Sequence, residues 1–87
     1  MSSSAPPTST PLPVSIEYCV VCGHLARALS LAEDILLVHP ERVSSMTLLP
    51  SSGGVYEVRF GERLLHSRLA TGVFPDDETI VDLIGAS

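Results

Sequence analysis

The chain has 87 residues, enough for one domain with one modest hydrophobic core. Hydrophobic residues make up 45% of it, which argues against a disordered chain, and no apolar run approaches the roughly 20 residues that span a bilayer. Ten acidic residues and five basic ones give a net charge of -5, which repels phosphate backbones, so we expect a soluble protein with neither a nucleic-acid nor a membrane partner.

The chain divides into a predicted tail, residues 1–13, and a predicted domain, residues 14–87. Residues 1–13 are nearly all Ser, Thr and Pro, with too little apolar surface to offset the entropy cost of ordering. We therefore predict that this tail is disordered. From Val14 the pattern changes, because Val14, Ile16 and Tyr18 alternate with polar residues in the two-residue period of a strand that ends at Cys19.

The segment after Gly23 has the apolar period of a helix. Proline cannot continue a helix, so this helix is predicted to end before Pro40. Its predicted buried stripe consists of Leu25, Leu29, Ala32 and Leu36.

Three strands and a second helix are predicted in the rest of the chain. The strands span residues 43–49, 55–60 and 63–69, and the turn Gly61-Glu62 joins the last two as a hairpin. Pro75 and Asp76 open the final helix, whose predicted buried face is Ile80, Leu83 and Ile84. The β-α-β-β-β-α order predicts an α/β fold of two or three layers, with a parallel crossover, an antiparallel hairpin and hence a mixed four-stranded sheet.

The two cysteines lie three positions apart, as Cys19-Val20-Val21-Cys22, between the first strand and the first helix. At this spacing they can form a small disulfide without any change of fold. A helix N-terminus also stabilises a thiolate, the species that attacks in disulfide exchange. A single CxxC pair and the absence of a secretory signal pattern are typical of a cytoplasmic protein, so the pair predicts reversible redox chemistry in the cytoplasm.

Two other interpretations of the cysteines are weaker. A purely structural disulfide that closes so short a loop would contribute only about 2 kcal/mol and would usually be reduced in the cytoplasm. Half of a zinc site, completed by His24, His39 or His66, would need a second close pair of ligands, which the sequence does not contain. We therefore expect no metal and no bound cofactor.

Several motifs together resemble a known family. They are Tyr18-Cys19-Val20-Val21-Cys22-Gly23, the stretch from Pro50 to Val58, Leu65-His66-Ser67 and Thr71-Gly72-Val73-Phe74-Pro75. In this order and spacing they resemble the selenoprotein W-like branch of the Rdx family, over nearly everything after Val14. The resemblance implies a thioredoxin-like fold with the redox motif after the first strand. Relatives often carry selenocysteine at the second motif position, here Cys22, whereas this chain has sulfur at both positions.

The resulting prediction is a thiol:disulfide oxidoreductase or redox sensor that uses Cys19 and Cys22 as its catalytic residues. Its expected partners are protein thiols or disulfides, with glutathione or a thioredoxin system as the redox partner. The alternative is a non-catalytic adaptor that binds other proteins through a thioredoxin-like surface. The family analogy favours Cys22 as the attacking thiol and Cys19 as the resolving one, although Cys19 is expected to be the more exposed of the two.

Five residues near the motifs have weaker functional claims. His24 could assist proton transfer but is expected to be a solvated helix residue. His66 and Ser67 are expected to be structural. The Gly53-Gly54 pair either lines the redox site or forms a simple flexible turn, and the sequence leaves both open.

Overall fold

A computed structural model describes residues 11–86 of the chain. In chain order the elements are β1 (Leu12–Cys19), α1 (Leu25–Val38), β2 (Val43–Ser51), β3 (Tyr56–Phe60), β4 (Arg63–Ser67), α2 (Arg68–Thr71) and α3 (Asp77–Ala86). The predicted α/β fold and its β-α-β-β-β-α order are confirmed. The short helix α2 is an addition that the sequence pattern did not predict.

The four strands form one mixed sheet in the order β2-β1-β3-β4. β1 pairs in parallel with β2 and antiparallel with β3, and β3 pairs antiparallel with β4. β1 is therefore central. Its C-terminal end lies between the end of β2 and the start of β3, so the cysteine motif is supported from both sides.

The hydrophobic core lies on one face of the sheet. Alternate residues of β1 and β3 pack there against one side of α1 and of α3. The core residues are Val14, Ile16, Tyr18, Ala28, Leu31, Ala32, Ile35, Tyr56, Val58, Phe60, Ile80 and Ile84. Because side chains alternate along a strand, Ser15, Glu17 and Glu57 lie on the opposite face, and the domain has two layers.

β1 begins two residues before its predicted start at Val14. Leu12 pairs with Val43, and its N–H donates to the carbonyl of Arg42 at 3.0 Å. Pro13 has no N–H, but its carbonyl accepts the Gly61 N–H at 2.7 Å. Residues 12 and 13 thus belong to the sheet, whereas residues 1–10 of the predicted tail lie outside the described residues.

α1 buries a different stripe from the predicted one. Its buried residues are Ala28, Leu31, Ala32 and Ile35. Leu25, Leu29 and Leu36 are 43%, 50% and 43% exposed, so the prediction is wrong at each of them. Apolar residues occur on more than one side of this helix, and its periodicity alone cannot select the side that faces the sheet.

The β3-β4 hairpin has the predicted two-residue turn. Phe60 pairs with Arg63, and Gly61 has a φ of 62°. Among residues 11–86 no non-glycine residue has a positive φ, so Glu62 does not meet the requirement of a type I′ turn. A positive φ at the first central residue alone is the pattern of the type II′ turn that the sequence predicts.

β4 ends at Ser67 rather than at the predicted Leu69. The Ser67 hydroxyl accepts the Ala70 N–H at 3.2 Å and caps α2, which turns the chain out of the sheet. Gly72, with a φ of 79°, ends α2.

α3 begins at Asp77, close to the predicted start. Asp77 and Glu78 occupy its first turn, where the positive end of the helix favours negative charge. Ile80 and Ile84 are buried as predicted, and Leu83 is only partly buried. No helix within residues 11–86 has the length and apolar character needed to cross a membrane.

Candidate redox site

Cys19 and Cys22 form a disulfide at the C-terminal end of β1, with their Cα atoms 5.3 Å apart. The Cys19 N–H donates to the carbonyl of Val55 and the Val20 N–H to that of Ser51, both at 3.0 Å. These bonds tie the first half of the motif to the two neighbouring strands. Gly23, with a φ of 78°, closes the turn by donating to the Val20 carbonyl at 3.0 Å.

The two sulfur-bearing residues differ sharply in exposure. Cys19 is fully buried, with 0% of its surface exposed, whereas Cys22 is exposed. The expectation that Cys19 is the more accessible residue is therefore wrong. It fails because Cys19 still belongs to the central strand, while Cys22 lies in the loop that leaves it.

The cysteines precede α1 rather than lying within its first turn. α1 begins at Leu25, and its N-cap residue His24 makes no side-chain capping bond. The first turn of α1 contains no acidic residue. The backbone N–H groups of this helix end are thus not neutralised by a capping side chain or a carboxylate, which favours negative charge close to Cys22.

His24 is packed rather than solvated, in contrast to the expectation. Its Nδ1–H donates to the carbonyl of Val55 at 3.3 Å. Its ring lies edge-on to Phe74, 4.7 Å between centroids, and at a longer 6.2 Å to Tyr56. His24 therefore joins the start of α1 to β3 and to the segment after α2.

Two arginines lie against the ring of Phe74. The guanidinium carbon of Arg27 is 4.0 Å from the ring centroid, and that of Arg68 is 4.7 Å from it. Arg68 also donates to the carbonyl of Gly54 at 3.0 Å. Two of the five basic residues of an acidic chain thus lie at the end of the molecule that carries the disulfide.

The Gly53-Gly54 loop lies against this site. Gly53 and Gly54 have φ values of 80° and 77°, which side chains rarely adopt. The next residue, Val55, provides the carbonyl that accepts from both Cys19 and His24. This arrangement favours the site-lining interpretation over a simple flexible turn.

The three histidines bind separate backbone carbonyls. His24 binds the carbonyl of Val55. His39 donates to the carbonyl of Val81 at 3.0 Å, and His66 donates to the carbonyl of Val73 at 2.8 Å. Within residues 11–86 no three His, Cys, Asp or Glu side chains are placed to hold a metal ion. The described residues therefore offer nothing that would extend the cysteine pair into a zinc site.

Two ionisable side chains close to Arg27 have raised pKa values. Burial, together with a smaller effect of the Asp77 carboxylate, raises the pKa of Tyr56 to about 12, against an opposing effect of Arg27. Burial also raises the pKa of Asp77 above 3.8, and the Asp34 carboxyl group adds to this shift, while Arg27 again opposes it. The start of α3 thus carries a carboxyl group that is easier to protonate than usual.

Asp77→Asn is expected to raise the melting temperature at pH 7. When the pKa of a carboxyl group is higher in the folded state than in the unfolded state, its protonated form favours folding. This stabilisation is fully present below the unfolded-state pKa and is lost as the pH rises through the folded-state pKa. For Asp77, burial and the nearby Asp34 carboxyl group outweigh the favourable helix end, so its charge costs stability at neutral pH, a cost that asparagine avoids. Thermal unfolding should be measured from pH 3 to pH 8. The melting temperature of the variant should exceed that of wild type at neutral pH, and this difference should become smaller as the pH is lowered.

The matched control is Glu78→Gln, in the same first turn of α3 but exposed. It removes a charge that the helix end favours, so it should give no gain at pH 7. A lower melting temperature for Asp77→Asn than for wild type at pH 7 would contradict the prediction.

Comparison with known proteins supports the assignment of the fold and the motif. The model of the Rdx family matches residues 13–86. A structure from Bordetella parapertussis superimposes with a TM-score of 0.82 at 26% identity, covering 87% of this chain and 96% of that one. A selenoprotein W-related protein from Vibrio cholerae gives a TM-score of 0.79 at 26% identity, covering 85% and 98%. Curated proteins give no significant match. Since the family model matches most of its length, the chain belongs to the Rdx family, with a CxxC disulfide at the end of β1.

Proposed function

We propose that the protein is a thiol:disulfide oxidoreductase or redox sensor that cycles between a Cys19–Cys22 disulfide and two thiols. The observation that carries this proposal is the asymmetry of the pair: one sulfur-bearing residue is exposed and the other, bonded to it, is fully buried. An exposed sulfur can exchange with a partner's sulfur, and a buried one can resolve the intermediate without leaving the protein. A purely structural disulfide would not need this arrangement.

In the reductive direction, a partner thiolate attacks the exposed sulfur of Cys22. A bond forms between the partner's sulfur and Cys22, the Cys19–Cys22 bond breaks, and Cys19 leaves as a thiolate that takes up a proton. A second partner thiolate then attacks the partner's sulfur in the mixed disulfide, which forms a partner disulfide and releases Cys22 as a thiolate. In the oxidative direction, the Cys22 thiolate attacks a partner disulfide and displaces one of its sulfurs as a thiolate; Cys19 then loses its proton, attacks Cys22 and displaces the bound partner's thiolate. This assignment makes Cys22 the attacking thiol and Cys19 the resolving thiol.

The surroundings of the motif support thiolate chemistry at Cys22. The uncapped end of α1 and the guanidinium groups of Arg27 and Arg68 make this end of the molecule locally positive. We propose protein thiols or disulfides as substrates, in the cytoplasm, with glutathione or a thioredoxin system returning the pair to its resting state.

When the wild-type protein is equilibrated in buffers with different ratios of reduced to oxidised glutathione, the cysteine pair should be reduced and oxidised as one two-electron couple. Both thiols should become protected from alkylation together, because a single bond joins them. Cys22→Ser and Cys19→Ser each lack that couple and serve as matched controls. Independent oxidation of the two cysteines in wild type would contradict the proposal.

The adaptor alternative also has an observation in its favour. Val20, Val21 and Val73 are 52%, 87% and 58% exposed, and two of them lie between the cysteines. An assay of catalysed reduction of a disulfide-bonded protein such as insulin distinguishes an oxidoreductase from a sensor or adaptor. Catalysed reduction supports the oxidoreductase, whereas a pair that titrates without turnover supports a sensor or adaptor.

A further inference from the structure

Glu57 is the one charged side chain among residues 11–86 that is buried, with 8% of its surface exposed. It lies on β3, on the sheet face opposite the hydrophobic core. Burial of a carboxylate costs free energy unless a specific partner compensates for it. Glu57 is not part of the hydrophobic core, and the disulfide does not require a buried acidic residue at this position, so the presence of Glu57 needs another explanation.

The carboxylate of Glu57 is held in a fixed orientation. The Ser67 hydroxyl donates to Oε2 of Glu57 at 2.9 Å and accepts the Ala70 N–H at 3.2 Å. With its acceptor site occupied by the α2 backbone, the hydroxyl directs its own proton to the carboxylate. Ser67, which belongs to the Leu65-His66-Ser67 motif and does not contact the cysteine pair in any bond described above, thus orients the carboxylate of Glu57.

The strand register places Glu57 beside Cys19. Glu57 is directly opposite Glu17 in the β1-β3 ladder, and Cys19 is two residues beyond Glu17 on the same face. The pairing continues past the ladder, because the Cys19 N–H donates to the Val55 carbonyl at 3.0 Å. Cys19 and Glu57 are thus diagonal neighbours on one face of the sheet, where such pairs are typically about 7–8 Å apart.

The burial of Cys19 bears on how its proton is transferred. This residue is fully buried, and a thiolate released there has no direct access to solvent. We propose that Glu57 takes the proton from the Cys19 thiol during oxidation and returns it during reduction, and that Ser67 is the positioning residue for its carboxylate. This inference rests on the proposed redox function and names the proton carrier for it.

The transfer is balanced in each direction. During resolution, the carboxylate of Glu57 accepts the Cys19 proton, the Cys19 sulfur bonds to Cys22, and the partner's sulfur leaves with the electron pair of the broken bond. During reduction, the partner's thiolate bonds to Cys22 and the departing Cys19 sulfur takes the proton from the carboxylic acid of Glu57.

Other ionisable or charged groups lie on the elements next to Cys19 and Glu57. They are Glu17 on β1, Arg59 on β3, Arg68 at the start of α2 and His24 before α1. The β2 residues paired along this face, Thr47, Leu49 and Ser51, are uncharged. His24 already donates its Nδ1 proton to Val55, and Glu17 is less buried than Glu57 and directly opposite it, which makes Glu17 the natural comparison.

The test uses the reduced full-length protein and dithiodipyridine, a neutral disulfide whose released thiopyridone absorbs light over a wide pH range. The first release reports attack by Cys22 and the second reports resolution by Cys19. Glu57→Gln should leave the first phase unchanged and slow the second by about 100-fold, the usual range for loss of a general base. Glu17→Gln, the matched control, should leave both phases unchanged.

The pH profile separates proton transfer from a structural effect. Wild-type resolution should vary little with pH across the neutral range, whereas resolution in Glu57→Gln should rise about tenfold per pH unit because it depends on free hydroxide. Glu57→Asp should restore part of the rate. A second phase in Glu57→Gln with the wild-type rate and pH profile would overturn the inference.

Two further variants complete the test. If Glu57→Gln does not fold, Ser67→Ala can be used, because it keeps the Glu57 carboxylate but removes the hydrogen bond that orients it. This variant should slow only the second phase. An unchanged second phase would overturn the inference. Cys19→Ser should give the first release and then stop. If Cys22 in Cys19→Ser does not react at all, the proposed function itself fails, whatever the role of Glu57.

Discussion

Alkylation of Cys22 in the Cys19→Ser variant is expected to be at least about tenfold faster than alkylation of Cys19 in Cys22→Ser. Cys22 is exposed in the loop after β1, and Cys19 is 0% exposed within the central strand. The uncapped N-terminal end of α1 begins at Leu25, three residues after Cys22, and favours its thiolate. Burial of Cys19 acts in the opposite direction, because it disfavours the charged form.

The measurement is the rate of reaction with iodoacetamide between pH 5 and pH 9 for each variant. In urea the two variants should react alike, which confirms that the difference comes from the fold. A faster, lower-titrating thiol in Cys22→Ser would reverse the roles and make Cys19 the attacking residue. If both folded variants react no faster than an unperturbed thiol, activation by the helix end is wrong and the adaptor function gains support.

The features that local sequence determines were predictable. Alternation along β1, the helical period after Gly23 and the Gly61-Glu62 turn each depend on neighbouring residues, and together they give the element order. The position of the cysteines between β1 and α1 follows from the same local signals. The CxxC motif and the fold could therefore be predicted before any contact was known.

The environment of the motif was not predictable in the same way. Cys19 is buried because it pairs with Ser51 at the end of β2 and bonds to Val55 just before β3, and both partners lie more than thirty positions away. The contacts of Phe74 with Arg27 and Arg68 likewise join three separate segments of the chain. The motif Thr71-Gly72-Val73-Phe74-Pro75 signalled that its segment matters, but not that it lies beside the redox pair.

The buried stripe of α1 is the clearest case in which sequence pattern and structure disagree, and it leads to a stability prediction. Leu31→Ala is expected to lower the free energy of unfolding by about 2–5 kcal/mol, because it leaves a cavity where a fully buried leucine packs against the sheet. Leu29→Ala, the matched control on the same helix, removes a side chain that is 50% exposed and should cost less than about 1 kcal/mol.

Urea unfolding at pH 7, followed by circular dichroism, measures both changes in a chain whose total stability is expected to be only about 5–15 kcal/mol. The predicted stripe of Leu25, Leu29, Ala32 and Leu36 requires the opposite ranking, with Leu29→Ala the more damaging change. Both substitutions replace leucine by alanine in one helix, so helix propensity changes equally and cancels in the comparison. The difference between the two variants therefore isolates burial, and a larger loss for Leu29→Ala would mean that α1 packs on the sheet through its other face.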